Sequence, residues 1–488
     1  MQYPDFMAGY IDRLAATPPG GGWEGFLCNV YPWIITVLMA GIMAWYLMRY
    51  CYEGYTGRYL MGLHRMEPRE ELRYLRFGRR PFRAILWVLI MYVASRAIWL
   101  IALDIYVRAN GWAPVSLESL SGYVNKWDAV NYTRIAQYGY GFEDHGIEGY
   151  VKEYTIAFLP GFPLMIRALN LIVGDYVLSG LILANLMTIG SGLLLYVLVS
   201  DMYSEPAARR SCFFFFFSMA AGVFSATHSE SALFFLTLLA VFLARRRHFI
   251  MSVCVGAYAC FTRQFGMFVA VPVFFEMLRS MERYPTGSEM IMRERADTGA
   301  VGSAPTLLER ARHSVRLRQV WRYFLLAACV LVGYGAYMLI NYIVYGSPTA
   351  FLHYQKLNWG NEIAPIWDCL HINAESLFRY MREGREFDSI IGIFVPQLML
   401  ALILPALMLC FVRRGDAGDN AYAWCYVALT FSSSWLISGI RYVAAMYPLY
   451  IMLALLSSKR GWRYVLYPLT ILSFVYFNVM YSAHGLIV

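Results

Sequence analysis

Apolar windows of about 18 to 23 residues recur along the chain between polar or basic connectors, each long enough to cross roughly 30 Å of hydrocarbon as a helix. Twelve are read, at about 30–50, 84–107, 177–199, 211–226, 228–244, 249–262, 264–279, 323–345, 390–411, 421–438, 441–456 and 464–483. In lipid every backbone polar group must be satisfied within its segment, so the expected fold class is all-α, a polytopic membrane protein. The run 156–173 is apolar but short, and Pro160, Pro163 and Arg167 interrupt it. It is read as a re-entrant or interfacial element. The windows between 211 and 279 are short, as tilted or broken helices lining a cavity are.

Charge orients these windows. Residues 51–83 carry Arg58, Arg65, Arg69, Arg73, Arg76, Arg79, Arg80 and Arg83, and 280–322 is a second basic loop with a Gly/Ser/Pro patch expected to be mobile. Placing both on the cytoplasmic side, with Arg209, Arg210 and Arg245 to Arg247, requires 156–173 not to cross and puts both chain ends outside. The expected organisation is an N-terminal extra span and basic linker (1–83), a transmembrane module with external loop 108–158 (84–279), the basic loop (280–322), and a second transmembrane module with external loop 346–389 (323–488).

Composition agrees. The 488 residues are 59% hydrophobic and 15% charged, where a soluble domain is about a quarter charged. The net charge of +9 lies in connector clusters, which argues for the bilayer and against nucleic acid as partner. The 9 cysteines form no CxxC pair and no His/Cys metal spacing, so no metal or other cofactor is expected; Cys28 and Cys369 fall in segments read as outer. No basic, apolar and small-residue succession opens the chain, so no removable signal peptide is expected.

The longest acid-bearing interval assigned to the outer face runs from Trp127 to Pro163. Its first part, WDAVNYTRIAQYGY, has helical spacing and is expected to form an amphipathic helix on the outer surface. Asp128 either caps that helix or serves as a general base taking the proton of an attacking hydroxyl. Glu143, Asp144, His145, Glu148 and Glu153 read mainly as solvated surface. Pro160 and Pro163 withhold backbone donors, so the chain enters the membrane through a bent corner suited to a cavity wall.

WDAVNYTRIAQYGY followed by AFLPGFPLMIRAL resembles the signature of the PIG-V family, GPI mannosyltransferase 2 and its prokaryotic relatives. FSATHSESALFFLTLLA, CFTRQFGMF, GSPTAFLHYQKLNWG and GIRYVAAMYPLYIML resemble further family segments, in family order across about 120–450. The first span, the basic linker and the tail depart from the pattern. The resemblance implies a GT-C glycosyltransferase fold, an outward-opening site, a polyprenyl- or dolichyl-phosphate mannose donor and inverting transfer, with Asp128 as catalytic base. A glycan, glycolipid or protein hydroxyl is the expected acceptor, and a bacterial plasma membrane is favoured over the ER membrane. A polyprenol-linked sugar or lipid flippase, or a GT-C enzyme for another sugar, remains the alternative.

A charge inside hydrocarbon costs roughly 2.5–3.5 kcal/mol on insertion scales and marks a functional candidate. Arg263 and Arg441, near outward ends of windows, are candidates for the donor phosphate, or else snorkel to headgroups. Arg96 lies mid-window and is equally open. Trp127, His228, Glu230, His353, Gln355 and Lys356 are the substrate-binding candidates.

Overall fold

The long apolar windows form helix, and the places where helices stop decide the architecture. The computed structural model describes residues 22–56, 81–140, 155–280, 315–384, 390–412, 414–434 and 436–485, with the backbone only at 46–56, 81, 117 and 315–318. The acidic residues between 143 and 153 lie outside them, as does most of the basic loop 280–322. In order come α1 (Tyr31–Thr56), α2 (Pro81–Ala109), α3 (Leu117–Val124), α4 (Asp128–Tyr138), α5 (Gly161–Val173), α6 (Tyr176–Met202), α7 (Glu205–Phe216), α8 (Ser229–Arg245), α9 (Phe249–Thr262) and α10 (Ala270–Arg279). The second half adds α11 (Val315–Ala328), α12 (Val332–Tyr345), α13 (Ala350–Trp359), α14 (Ile366–Arg382), α15 (Val395–Phe411), α16 (Ala417–Thr430), α17 (Gly439–Ala444), α18 (Tyr447–Leu456) and α19 (Arg460–His484).

Six described stretches are long and apolar enough to cross a membrane: Trp23–Trp45, Phe82–Ala109, Tyr176–Met202, Gln319–Tyr345, Ile390–Phe411 and Arg460–His484. The remaining apolar windows are shorter or divided. At about 1.5 Å per residue the 13 residues of α5 span about 20 Å, too short to cross. Local starts follow capping chemistry: Asp175 accepts from Leu178 N at 2.6 Å to open α6, and Ser204 accepts from Ala207 N at 3.3 Å to open α7, with Pro206 in its first turn.

The window expected as a helix over 211–226 stops at Phe216, and 217–227 runs as turns buried in the bundle. Such backbone survives at that depth only with partners from neighbouring helices. Asn478 of α19 supplies two: its Oδ1 accepts from Gly222 N, and its Nδ2 donates to Ser218 O at 3.3 Å. Thr188 and Asn185 of α6 donate to Phe224 O (2.6 Å) and Ser225 O (3.0 Å), and Asn125 accepts from Thr227 N (2.9 Å). The phenylalanine run at 213–217 is turned largely inward, with Phe215 stacked on Phe234 at 4.7 Å. The window 421–438 likewise ends as helix at Thr430. The segment beyond it exchanges backbone bonds with 362–364: Ser434 N to Glu362 O at 2.8 Å and Ala364 N to Ser432 O at 3.2 Å.

The two modules interlock: α19 packs on α2, α7 on α18, α8 between α6 and α9, and α10 on α16, while α1 leans on α14. Cys28 and Cys369 are buried free thiols. Arg245, expected in a cytoplasmic basic cluster, turns inward at the end of α8 and pairs with Glu276 at 2.8 Å; Arg279 pairs with Asp416 and Glu276. Arg96 lies over the Tyr92 ring at 5.1 Å and lines no part of the cavity at Asp128.

Close helix contact is built on glycine. A Cβ at Gly333 of α12 would run into the Ala257 carbonyl of α9 and stand 2.9 Å from Phe261 N, whereas one at Gly335 meets nothing within 4 Å. Gly333→Ala is therefore expected to cost about 1–3 kcal/mol of stability by overpacking. Gly335→Ala, which gains helix propensity, should leave the melting temperature in detergent unchanged or slightly raised; equal losses for both would show that α9 and α12 are not in backbone contact.

Candidate active site

The site begins with a strained turn. Between α3 and α4, Trp127 adopts φ 54, a left-handed backbone that a bulky residue rarely takes and that persists only where its surroundings fix it. Its indole Nε1 donates to the carbonyl of Gly485, just past the end of α19, at 2.5 Å. That anchor sets Asp128 as the first residue of α4. The capping role left open for Asp128 is not taken: no side chain caps this helix, and Trp127 stands at the cap position.

The Asp128 carboxylate goes to Arg441 of α17 instead, with Arg441 Nη2 donating to Oδ2 at 2.8 Å. Arg441 reaches back through Nε to within 2.8 Å of Glu230 Oε1, and Arg263 Nη2 lies 3.1 Å from the same oxygen. Arg263 Nη1 also donates to Ser229 Oγ at 2.9 Å, and Ser229 meets Tyr132 OH of α4 at 2.6 Å. The Tyr442 ring underlies both guanidinium groups, at 5.2 and 5.3 Å. Two carboxylates thus face two arginines, and exposure rises outward: side-chain exposure is 0% for Glu230, 9% for Arg441, 11% for Arg263 and 24% for Asp128. Burial pushes the Asp128 carboxyl up, but Arg441, with Arg263 behind it, outweighs burial and holds it below the ordinary carboxylate value.

Behind this row, His228 is buried and its Nε2 lies 3.0 Å from Tyr481 OH. The Tyr481 hydroxyl donates its one proton to Val124 O at 2.9 Å, so it must accept from His228, which fixes the Nε2–H tautomer.

The outer face of the row opens into a cavity of about 1000 Å³, its open mouth included. One wall is the proline corner, Ala157 to Leu159; a second is Thr262 to Gln264, where α9 breaks; a third is Leu436 to Ser438 with Arg441 and Tyr442. Gln355, Trp359 and Asn361 from α13 and the residues just beyond it complete the rim.

Residues 110–298 match a family model described as Mannosyltransferase (PIG-V). Over that stretch, less than half of its length, the chain is similar to the PIG-V mannosyltransferases. No curated protein matches the chain. Among solved structures, an oligosaccharyltransferase from Archaeoglobus fulgidus, crystallised with zinc and sulfate, is similar at 10% identity and a TM-score of 0.31, over 74% of this chain and 49% of that one. The chain therefore spans about half the length of that protein, and so loose a likeness says nothing of what this chain does. The PIG-V match together with the apolar helices supports a membrane glycosyltransferase.

Within the matched stretch 110–298 fall Asp128, Glu230 and Arg263, while Arg441 and the α13 rim are brought to them by the fold. Of the residues predicted from sequence, Trp127, Asp128, Arg263, Arg441 and Gln355 line the cavity. Glu230 and His228 do not: both are buried behind the wall. His353 is exposed off the lining, and Lys356 pairs with Glu362 at 2.7 Å at the surface. Tyr132, Gln264, Trp359, Asn361 and Tyr442 were missed, although each stands in or beside a segment that carries the PIG-V resemblance. Among the described residues no group of three or more His, Cys, Asp or Glu is arranged to hold a metal.

Glu230 holds two guanidiniums in a site almost closed to water, and removing one partner of such a cluster typically costs about 3–5 kcal/mol. Glu230→Gln should therefore lower thermal stability sharply, and adding Arg263→Gln should recover a large part of the loss. Simple addition of the two penalties would show that the charges are not coupled.

Proposed function

We propose that this chain is a membrane mannosyltransferase of GT-C type. It moves mannose from a polyprenyl- or dolichyl-phosphate donor to a glycan, glycolipid or protein hydroxyl on the extracytoplasmic side, inverting the sugar carbon, with Asp128 as general base. The observation that carries this reading is a carboxylate and two guanidiniums meeting on one open cavity wall, in a chain with a PIG-V segment.

The acceptor hydroxyl passes its proton to Asp128 as its oxygen attacks C1 of mannose. The bond from C1 to the phosphate oxygen breaks, the electron pair leaves with the phosphate, and attack from the opposite face inverts C1. Arg263 and Arg441 answer the charge growing on the leaving phosphate with charge-assisted hydrogen bonds, a role that requires no metal. Trp359, Gln355 and Asn361 offer an aromatic face and amides of the kind that contact a hexose.

Sidedness rests on charge. α8 carries Glu230 at one end and Arg245 at the other, about 22 Å away by helical rise. Arg209 and Arg210 near the start of α7 and Lys459 and Arg460 at the start of α19 lie with Arg245, away from Gly485 and Trp127. Positive charge gathers on cytoplasmic ends, which supports a cavity opening outward into a bacterial plasma membrane exterior or an ER lumen, the former favoured.

The decisive experiment assays mannose transfer from polyprenyl-phosphate mannose by Asp128→Asn and Asp128→Ala. A fall of about 10²- to 10⁴-fold is expected for loss of a general base, and free lipid phosphate should be the second product. Retained activity would remove Asp128 from the chemistry, and a donor recovered unchanged but on the other leaflet would mark a flippase.

A pH profile tests the Arg441 linkage separately. In the free protein the depressed Asp128 carboxyl stays ionised through the neutral range and loses its charge only as pH falls through a value below the ordinary carboxylate range. A donor phosphate competes for Arg441 and adds its own negative charge, both of which raise the Asp128 carboxyl. The acid limb of kcat should therefore lie at higher pH than that of kcat/KM; coincident limbs would show that Arg441 stays on Asp128 throughout.

A further inference from the structure

At the end of the bundle remote from Asp128, an apolar groove runs between α1, the last turn of α15 and the corner joining α18 to α19. Its volume is about 1500 Å³ with the open side included. Leu38 and Trp45 form one wall and Phe411 and Trp462 the other, while Arg414 and Lys459 stand at the rim. The two cations make no side-chain hydrogen bond or ion pair among the described residues, in contrast to the arginines of the candidate active site. Gly41 of α1 faces the groove, and a Cβ built there meets nothing within 4 Å.

We infer that this groove binds an anionic phospholipid, its acyl chains lying along α1 and its phosphate held by Arg414 and Lys459. An apolar trough on a membrane-embedded face takes a hydrocarbon chain, and two cations at its rim with no partner among the described residues select a negative headgroup. Tryptophans such as Trp45 and Trp462 favour the headgroup level, where that phosphate would sit. The end is the basic one, and the cytoplasmic leaflet carries the anionic lipids.

Charge disfavours the other occupants. The linker at 51–83 carries eight arginines against four glutamates, a net charge of the same sign as Arg414 and Lys459. A second copy packing the same face symmetrically would bring each pair of cations against its own image. The groove lies outside the PIG-V segment and does not depend on mannose transfer at Asp128.

The test uses the full chain, delipidated in detergent and titrated with phosphatidylglycerol or phosphatidylcholine, with retained lipid counted by native mass spectrometry and the melting temperature followed in parallel. Phosphatidylglycerol should stay bound and raise the melting temperature, and phosphatidylcholine should do neither. Each headgroup cation is worth about five-fold in affinity, so Arg414→Gln with Lys459→Gln should weaken retention by roughly thirty-fold. Gly41→Leu, whose Cβ meets nothing within 4 Å, projects into the groove and should abolish retention while leaving the lipid-free melting temperature intact, which keeps the test valid if the charge variant folds poorly. Equal retention of the two lipids, or phosphatidylglycerol retention indifferent to Gly41→Leu, overturns the proposal. So does a Gly41→Leu variant that changes oligomeric state while its lipid retention is unaltered, because the groove would then be an interface between copies.

Discussion

A carboxylate with no exposure to water holds the site together. Glu230 sits in the first turn of α8, where the helix dipole favours its charge, but that contribution is a fraction of what burying an ion costs. The balance is met only because Arg263 and Arg441 both reach Oε1, and they come from parts of the chain nearly 180 positions apart. Each arginine is free to do so because its helix is broken at that place. α9 ends at Thr262 and the chain resumes as a tight helical turn, and α17 is a six-residue piece between two non-helical stretches. Continuous helices would carry the guanidinium groups past Glu230.

The same logic explains the irregular backbone in the middle of the bundle. Residues 217–227 are not helical, and their polar groups are met by Asn478, Asn185, Thr188 and Asn125, four side chains from outside the segment. The break lets the chain arrive at Ser229 beside α4, so that Tyr132, Ser229 and Arg263 form one hydrogen-bonded file. At the other end of α8, Arg245, Glu276, Arg279 and Asp416 make a second buried charge cluster tying α8, α10 and α16. The apolar residues of α8 and their aromatic packing fill the distance between the two clusters.

The sequence made plain what depends on local pattern: the long spans, the amphipathic α4, the proline corner, and Asp128 and the two arginines as charges needing a reason. It was silent on what depends on partners far along the chain. The window 211–226 reads as one helix because its apolar composition does not change where the helix stops; only Asn478, some 250 residues away, reveals the break. The burial of Glu230 and His228 was not legible either, because sequence shows an outward helix start and a charge but not what packs over them. Asp128 at a helix start is equally consistent with a cap, and the choice was made by Arg441, whose position no periodicity specifies. Trp359 and Asn361 join the rim through the pairing of 362–364 with 432–434, a tertiary match of two loops.

Arg441 is shared between Glu230, the carboxylate that supports the site, and Asp128, the proposed base, and this sharing bears on how a neutral cluster would handle the proposed anionic lipid donor. Two carboxylates and two guanidiniums cancel, so the empty cavity has no excess charge to draw in small anions, and its arginines are held in place without a ligand. An incoming phosphate must compete with Asp128, the more exposed acid, since Glu230 is buried and cannot exchange its partners for water. On the proposed reading, donor binding therefore loosens one contact only, that between Arg441 and Asp128, while Glu230 keeps both guanidiniums oriented. The base gains proton affinity as the leaving group gains a stabilising cation, and one ion-pair exchange serves both ends of the transfer.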